Sequence, residues 1–257
     1  MARNFNGSSD RIDANPPLTN EPFTISCWFN SDDVATGACL VSLSQGVSDS
    51  VGWGLEARGD VANDPVRARK GATAYAVTTT GFSAATWHHA CGVWAADNDR
   101  RAYLDGGGEG TDTANIADPV TPDRLTIGCH GDYSPSNFHK GRIAEVFIWN
   151  AALAANEILM LANGGHPWMV RPGNIVFAMP LFGTTTAEPD WSGGNRHGTV
   201  TGTTRIDHSD SISAIWPGVR PFVLAEEAAA GGVNTREKRM STLGILLPWA
   251  PPGVEPD

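Results

Sequence analysis

The residues able to do chemistry are few, and their spacing restrains them. His88 and His89 are adjacent. On a strand, neighbours point to opposite faces, so these two rings cannot close on one metal ion. They read as structural histidines. Glu145 stands alone among Ile143, Phe147 and Trp149. Cleaving a glycosidic bond with retention needs two carboxyls about 5 Å apart, and a strand offers them only at alternate positions. Without a second acid, Glu145 is expected to be a hydrogen-bonded structural carboxylate. Neither H-E-x-x-H nor G-x-S-x-G occurs, so the common zinc-hydrolase and nucleophile-elbow chemistries have no carrier. No catalytic residue is assigned, and the chain is expected not to be an enzyme. Asp10, Asp32, Asp33, Asp105 and Asp132 sit in turns and offer hard oxygen ligands. Ca2+ is the one cofactor these residues leave open, though nothing spaces them like an EF-hand. The four cysteines, Cys27, Cys39, Cys91 and Cys129, form no CxxC pair. Cys27, Cys91 and Cys129 fall at alternating apolar positions and read as small buried thiols. A single disulfide would have no assignable pairing.

Aromatic faces can also do chemistry, by stacking on sugars. Nine tryptophans are present. Trp28, Trp53, Trp94 and Tyr103 are the candidate glycan contacts. The competing reading is core packing, since sandwiches absorb tryptophan between their sheets. Trp28 is the best placed of the four, because it points away from Phe23, Ile25 and Cys27.

The elements that must position these residues are strands. Phe23-Thr24-Ile25-Ser26-Cys27-Trp28-Phe29 alternates with a period of two. Further strands are expected over 38–44, 52–58, 72–79, 87–95, 101–104, 125–129, 141–149 and 175–181, with one more entered from the Gly-rich turn in 191–200. The 141–149 strand is apolar on both faces and belongs inside a sheet. Asp105-Gly106 marks a hairpin. A single helix is expected over 154–163, weakly started because Ala154 cannot cap, and stopped at Gly164. The 29 glycines and 17 prolines suit short strands and turns.

Lys plus Arg is 18 and Asp plus Glu is 28, a net charge of −10. Such a chain repels phosphate backbones, so no nucleic-acid partner is expected. No stretch approaches the roughly 20 apolar residues of a membrane span. The start, Met1 to Phe5, lacks the apolar core of a secretory signal, so no signal-dependent export is expected.

Composition changes near Ala225. A small-residue segment leads to Arg236-Glu237-Lys238-Arg239, an apolar run and a proline-rich end. The expected organisation is a β-sandwich over 1–215, then a linker and extended arm over 216–257. In the arm, Arg236, Lys238 and Arg239 could meet an acidic surface. Leu243, Leu246, Leu247 and Trp249 could fill a partner's groove, offsetting the ordering cost of about 1–2 kcal/mol per residue.

The order of several segments is similar to the laminin G-like members of the concanavalin A-like superfamily. Phe5 to Ile12 resembles the opening strand and turn. Phe23 to Phe29, Trp87 to Cys91, and Ala102 to Gly106 resemble three later strands. Phe138 to Asn163 carries the strongest match, and Asp190 to Val200 resembles a late "D-x-S-G-N-x-x-H-G-T" segment. Together they span about residues 4 to 208. Ala144 and Ala154 depart from the pattern, where an Asp and a capping Ser are common. The resemblance implies an all-β, two-sheet antiparallel jelly-roll sandwich with one short helix. The superfamily's glucan-cutting enzymes carry E-x-D-x-x-E on one strand, and this chain has no such triplet. The tail, from Arg236 to Trp249, resembles C-terminal arms of bacteriophage structural proteins. The expectation is a capsid decoration protein in the virion, made in the host cytoplasm, homo-oligomeric and docked on a capsid or other virion protein. The alternative is a carbohydrate-binding, lectin-like module, calcium-assisted or not, that meets a surface glycan.

Overall fold

The computed structural model describes residues 1–46, 51–118 and 121–206. The expected arm over 216–257, including Arg236, Lys238, Arg239, Leu243, Leu246, Leu247 and Trp249, lies outside the described residues.

Alternation sets the architecture. In β3 (Phe23–Ser31), Phe23, Ile25, Cys27 and Phe29 are wholly buried in the main apolar core. The strand sits between β8 (His88–Ala96) and β12 (Lys140–Trp149), antiparallel to both. β9 (Asp99–Leu104) and β10 (Gly107–Asp112) extend this sheet on one side. β1 (Ala2–Asn6), β16 (Thr204–Ile206) and β13 (Ile175–Met179) complete it on the other. β12 is therefore interior, as its two apolar faces require.

The second sheet runs β14 (Ala187–Glu188), β15 (Gly198–Thr201), β2 (Arg11–Ala14), β11 (Arg124–Ile127), β4 (Gly37–Ser44), β5 (Val51–Arg58), β6 (Pro65–Lys70) and β7 (Ala74–Gly81). Its pairings are all antiparallel. The described residues thus form an all-β sandwich of two eight-stranded sheets with one α-helix. Between the sheets, Ile25, Phe29, Ile143 and Ile148 meet Leu43, Leu55, Val66 and Ile127. Each such burial stabilises by about 1.5–3 kcal/mol relative to exposure.

A second, smaller core lies on the far face of the first sheet. There Cys91, Val93, Phe147 and Trp149 pack under Ile158 and Leu161 of α1 (Ala155–Ala162). Ala154 makes no side-chain cap. Glu157 Oε2 accepts the Ala154 N–H at 2.7 Å instead, and both its oxygens are held by Arg171 at 2.7 Å. The helix ends at Asn163, followed by Gly164 at φ +82°.

Strands β6, β10, β14 and β16 were not expected. β6 alternates Val66 and Ala68 inward with Arg67 and Arg69 outward, and its short apolar set is masked by charge. β10 has no large apolar residue. It is placed by the Asp105-Gly106 turn, at φ +53° and +73°, and crosses close to β7. A Cβ on Gly110 would stand 1.7 Å from the Val77 carbonyl oxygen, so only glycine fits.

Candidate functional site

Three of the four aromatic candidates are not at the surface. Trp53 and Trp94 are fully buried and flank Phe23, with ring centroids 5.6 and 4.8 Å away. Their registers explain this: Trp94 lies opposite Phe23, and Trp53 opposite Leu43, so both turn inward. The indole N–H of Trp94 donates to the Arg69 carbonyl at 3.0 Å, and that of Trp53 to Glu21 at 3.3 Å. Tyr103 is buried in the smaller core. None of the three presents a face to a sugar. Trp28 is half-buried and stands edge-on to His89 at 5.3 Å.

His88 and His89 do point apart. His88 Nδ1 lies 2.7 Å from Asp105, and His89 Nε2 lies 3.0 Å from the Ser26 hydroxyl. Burial pushes His89 down to about 4. Glu145 differs from expectation. It occupies a bulge of β12 at φ +52° and makes no hydrogen bond or ion pair among the described residues. Burial pushes its carboxyl up to about 7. The four cysteines are buried free thiols, as the alternation suggested for three of them.

The candidate calcium ligands do not converge. Asp10 accepts the Asn6 N–H, Asp33 closes its own turn, and Asp105 holds His88. Among the described residues one acidic trio does gather, Glu21, Asp97 and Asp118, with ligand atoms within 4.8 Å of one another. A cation already sits among them: Lys70 Nζ lies 3.0, 2.6 and 3.1 Å from the three carboxylates.

The polar concentration lies elsewhere, on the solvent face of the second sheet. β2 (Arg-Ile-Asp-Ala) and β11 (Arg-Leu-Thr-Ile) share one alternation. Ile12, Leu125 and Ile127 enter the core, which leaves Arg11, Asp13, Arg124 and Thr126 on the other face. Strand register then lays a row across the sheet: Thr199, Asp13, Thr126, Ser42, Gly54, Arg69 and Tyr75, each opposite the next.

At one end of this row is a cavity of about 480 Å³. Arg11, Asp13, Ala14 and Asn15 form one wall, Asp123 and Arg124 a second, and His197 and Thr199 a third. Arg11 pairs with Asp13 at 2.8 Å, and the Thr126 hydroxyl donates to Asp13 at 3.0 Å. Asp123 accepts the Gly46 N–H at 2.7 Å. The His197 wall is built by Asp190. That carboxylate accepts the N–H groups of Ala178, Ser192 and Arg196, which fold the Gly-rich turn around it. Burial opposes its ionisation, but these donors outweigh burial and hold it below the usual carboxylate range. The Asp190 N–H in turn donates to His197 Nδ1 at 3.0 Å. In the neutral ring the proton therefore sits on Nε2, making it a donor.

On the same sheet face, Glu56 is buried under His130 at 2.8 Å and is ion-paired to Arg67, with Arg69 and Arg58 at 3.4 and 3.5 Å. Burial alone would raise this carboxyl. The His130 hydrogen bond and the surrounding cations overcome that and bring it to about 2. The Arg67 guanidinium also covers the Tyr75 ring at 4.4 Å.

The solvent face of this sheet thus gathers Arg11, Arg58, Arg67, Arg69 and Arg124 on a chain of net charge −10. Trp191 is 55% exposed and tilts against Phe182 at 5.4 Å. It lies on the same Asp190-anchored turn as His197.

Sequence reasoning missed this site. The alternations in 11–14 and 124–127 were the available signal, since each puts an arginine on the face opposite two core positions.

The described residues thus form a two-sheet antiparallel sandwich with a polar cavity on one sheet. The chain belongs to the Concanavalin A-like lectin/glucanases superfamily, whose family model matches residues 6–159. No curated protein matches it significantly. Among solved structures it is similar to a Bacteroides ovatus protein proposed to bind carbohydrate, with a TM-score of 0.59 and 19% identity. That match covers 79% of this chain and 58% of the other, so the chain spans little more than half of that relative's length. It is also similar to the heptameric SAP-like pentraxin of Limulus polyphemus, at TM-score 0.52 and 14% identity over 65% of this chain and 83% of that one. The CBM40 of the Ruminococcus gnavus IT-sialidase, solved with α2,3-sialyllactose, matches at TM-score 0.52 and 10% identity, covering 63% and 98%. At these identities the likeness concerns the fold. Among the described residues, no helix is long and apolar enough to cross a membrane.

Proposed function

We propose that the chain is a non-catalytic carbohydrate-binding module whose ligand sits in the cavity over β2, β11 and β15. The cavity carries this reading. Its volume falls within the range of small-ligand sites, roughly 300–1,000 Å³. Its walls offer the carboxylates of Asp13 and Asp123, the Asn15 amide and the Thr199 hydroxyl, groups that pair with sugar hydroxyls. The membership and the structural neighbours support the same class. A glycan array, run with and without a chelator, followed by calorimetry on Asp13→Asn/Thr199→Ala, tests it. Binding that weakens in the double variant is expected. Absence of any glycan binding in either condition would sink the reading.

The sequence of the arm motivates a second proposal. Its basic run, Arg236 to Arg239, and its apolar run, Leu243 to Trp249, suit attachment to a capsid or other virion protein. In that setting the module is a homo-oligomeric decoration. Mass spectrometry of purified particles would find it there, and its absence from them would exclude the virion assignment without touching the glycan reading.

A further inference from the structure

Among the described residues, the cavity contains one guanidinium that no carboxylate pairs. Arg11 is paired with Asp13, and Asp123 is engaged by the Gly46 N–H. Arg124 has no hydrogen bond or ion pair among the described residues. Its position is nonetheless fixed. A Cβ on Gly131 would lie 3.3 Å from Arg124 Cδ, and one on Gly46 would lie 2.9 Å from Nη2. Two side-chain-free positions therefore form the channel in which the stem and the guanidinium rest. An arginine braced this way and left unpaired is a donor fork held ready for a planar acceptor. The proton on His197 Nε2 adds a donor to the same cavity.

Resting on the carbohydrate-binding reading above, we propose that Arg124 receives the carboxylate of an acidic sugar, a uronic or sialic acid. The fork geometry favours a planar carboxylate over a neutral hydroxyl cluster. The other walls set an upper limit on ligand charge. Asp13 and Asp123 would repel a dianion such as a phosphate monoester, yet both can accept hydrogen bonds from the hydroxyls of a monoanionic sugar.

Calorimetry on the full chain tests this with two matched pairs: trigalacturonate against its methyl ester, and 3′-sialyllactose against lactose. Each pair keeps the sugar scaffold, and together they separate the uronic from the sialic source. The acidic member of at least one pair is expected to bind about tenfold more tightly than its neutral counterpart, the worth of one charge-assisted contact. The preference should weaken as salt is raised. Arg124→Gln should erase the preference, Arg124→Lys should keep part of it, and Lys140→Gln, on the other sheet, should leave it intact. Circular dichroism and melting of Arg124→Gln establish that it is folded. Equal binding of acidic and neutral members, or a preference that survives in folded Arg124→Gln, overturns the carboxylate assignment and leaves glycan binding standing. Failure of all four compounds together with a blank glycan array overturns both.

Discussion

Glu56 and His130 lie 2.8 Å apart in a place closed to solvent, 74 residues apart in sequence. The contact joins β5 to the loop that follows β11, so this carboxylate helps to hold the loop over the sheet. Ser42 adds a second tie, donating to the Cys129 carbonyl at 3.0 Å and accepting the Gly131 N–H at 3.2 Å. Glu56→Gln should destabilise the fold by about 3–5 kcal/mol, the usual effect of breaking a buried pair and leaving its partners uncompensated. The sign with pH is fixed by the shift. Glu56 is lowered to about 2 from an ordinary 4.5. Its contribution is therefore fully present above about pH 4.5 and is lost as pH falls toward 2. Urea unfolding between pH 2 and 6 should show this acid limb in the parent and a shallower one in the variant. Identical limbs would contradict the assignment.

Glu145 carries the opposite shift. Its folded value of about 7 lies above the ordinary 4.5, because burial disfavours the charged form. Between these two values the unfolded chain ionises while the folded chain keeps its proton, so stability should decline as pH rises through that window and level off above 7. Glu145→Gln removes the decline. Glu145→Gly removes it as well, and also suits the φ of +52° that a side chain adopts at a cost of about 1–2 kcal/mol. Chemical denaturation at pH 4 and pH 8 checks both. The glycine variant should gain at pH 8 relative to the parent, and a loss there would show that the carboxyl has a stabilising partner.

Lys70 holds three carboxylates together, so its removal should convert a partly exposed ion cluster into a cation site. Burial opposes its charge, but the hydrogen bonds it donates to Asp97, Glu21 and Asp118 outweigh burial and raise its pKa. Lys70→Gln leaves three acids with ligand atoms inside 4.8 Å and no counter-charge. Tb3+, a luminescent stand-in for Ca2+, should then bind there and raise the melting temperature. Trp53 donates to Glu21 and would sensitise the emission. Equal emission from parent and variant would show that the lysine is not what excludes the ion.

Local pattern was legible where one strand decides the outcome. The alternation of 23–29, the Asp105-Gly106 hairpin and the stop at Gly164 were all readable from neighbours in sequence. The cavity was not, because its walls come from 11–15, 123–124 and 197–199, and only strand register brings them together. The inward turn of Trp53 and Trp94 could not be assigned from sequence for the same reason, although Trp28 was rightly singled out as the outward one. Trp53 and Trp94 differ from Trp28 in which face of a strand they occupy, and for the first two that face is set by partners remote in the chain. Arg67 and Arg69 hid β6 by making a half-buried strand read as a charged loop. Trp191 went unweighed because a Gly-rich turn carries no periodicity.

The tryptophans also offer a test that separates packing from binding. Trp94 stacks on Phe23 at an interplanar angle of 18° in the centre of the sandwich, so Trp94→Ala should cost about 3–5 kcal/mol. Trp28 is half-buried on the outer face of the same sheet, and Trp28→Ala should cost less. Neither ring lines the cavity. Glycan affinity, measured by calorimetry at a temperature where both variants remain folded, should therefore be unchanged in Trp28→Ala and recoverable in Trp94→Ala once the folded fraction is allowed for. If Trp28→Ala abolishes binding while its unfolding curve matches that of the parent, the sugar rests on the first sheet. The cavity over β2, β11 and β15 is then not its site.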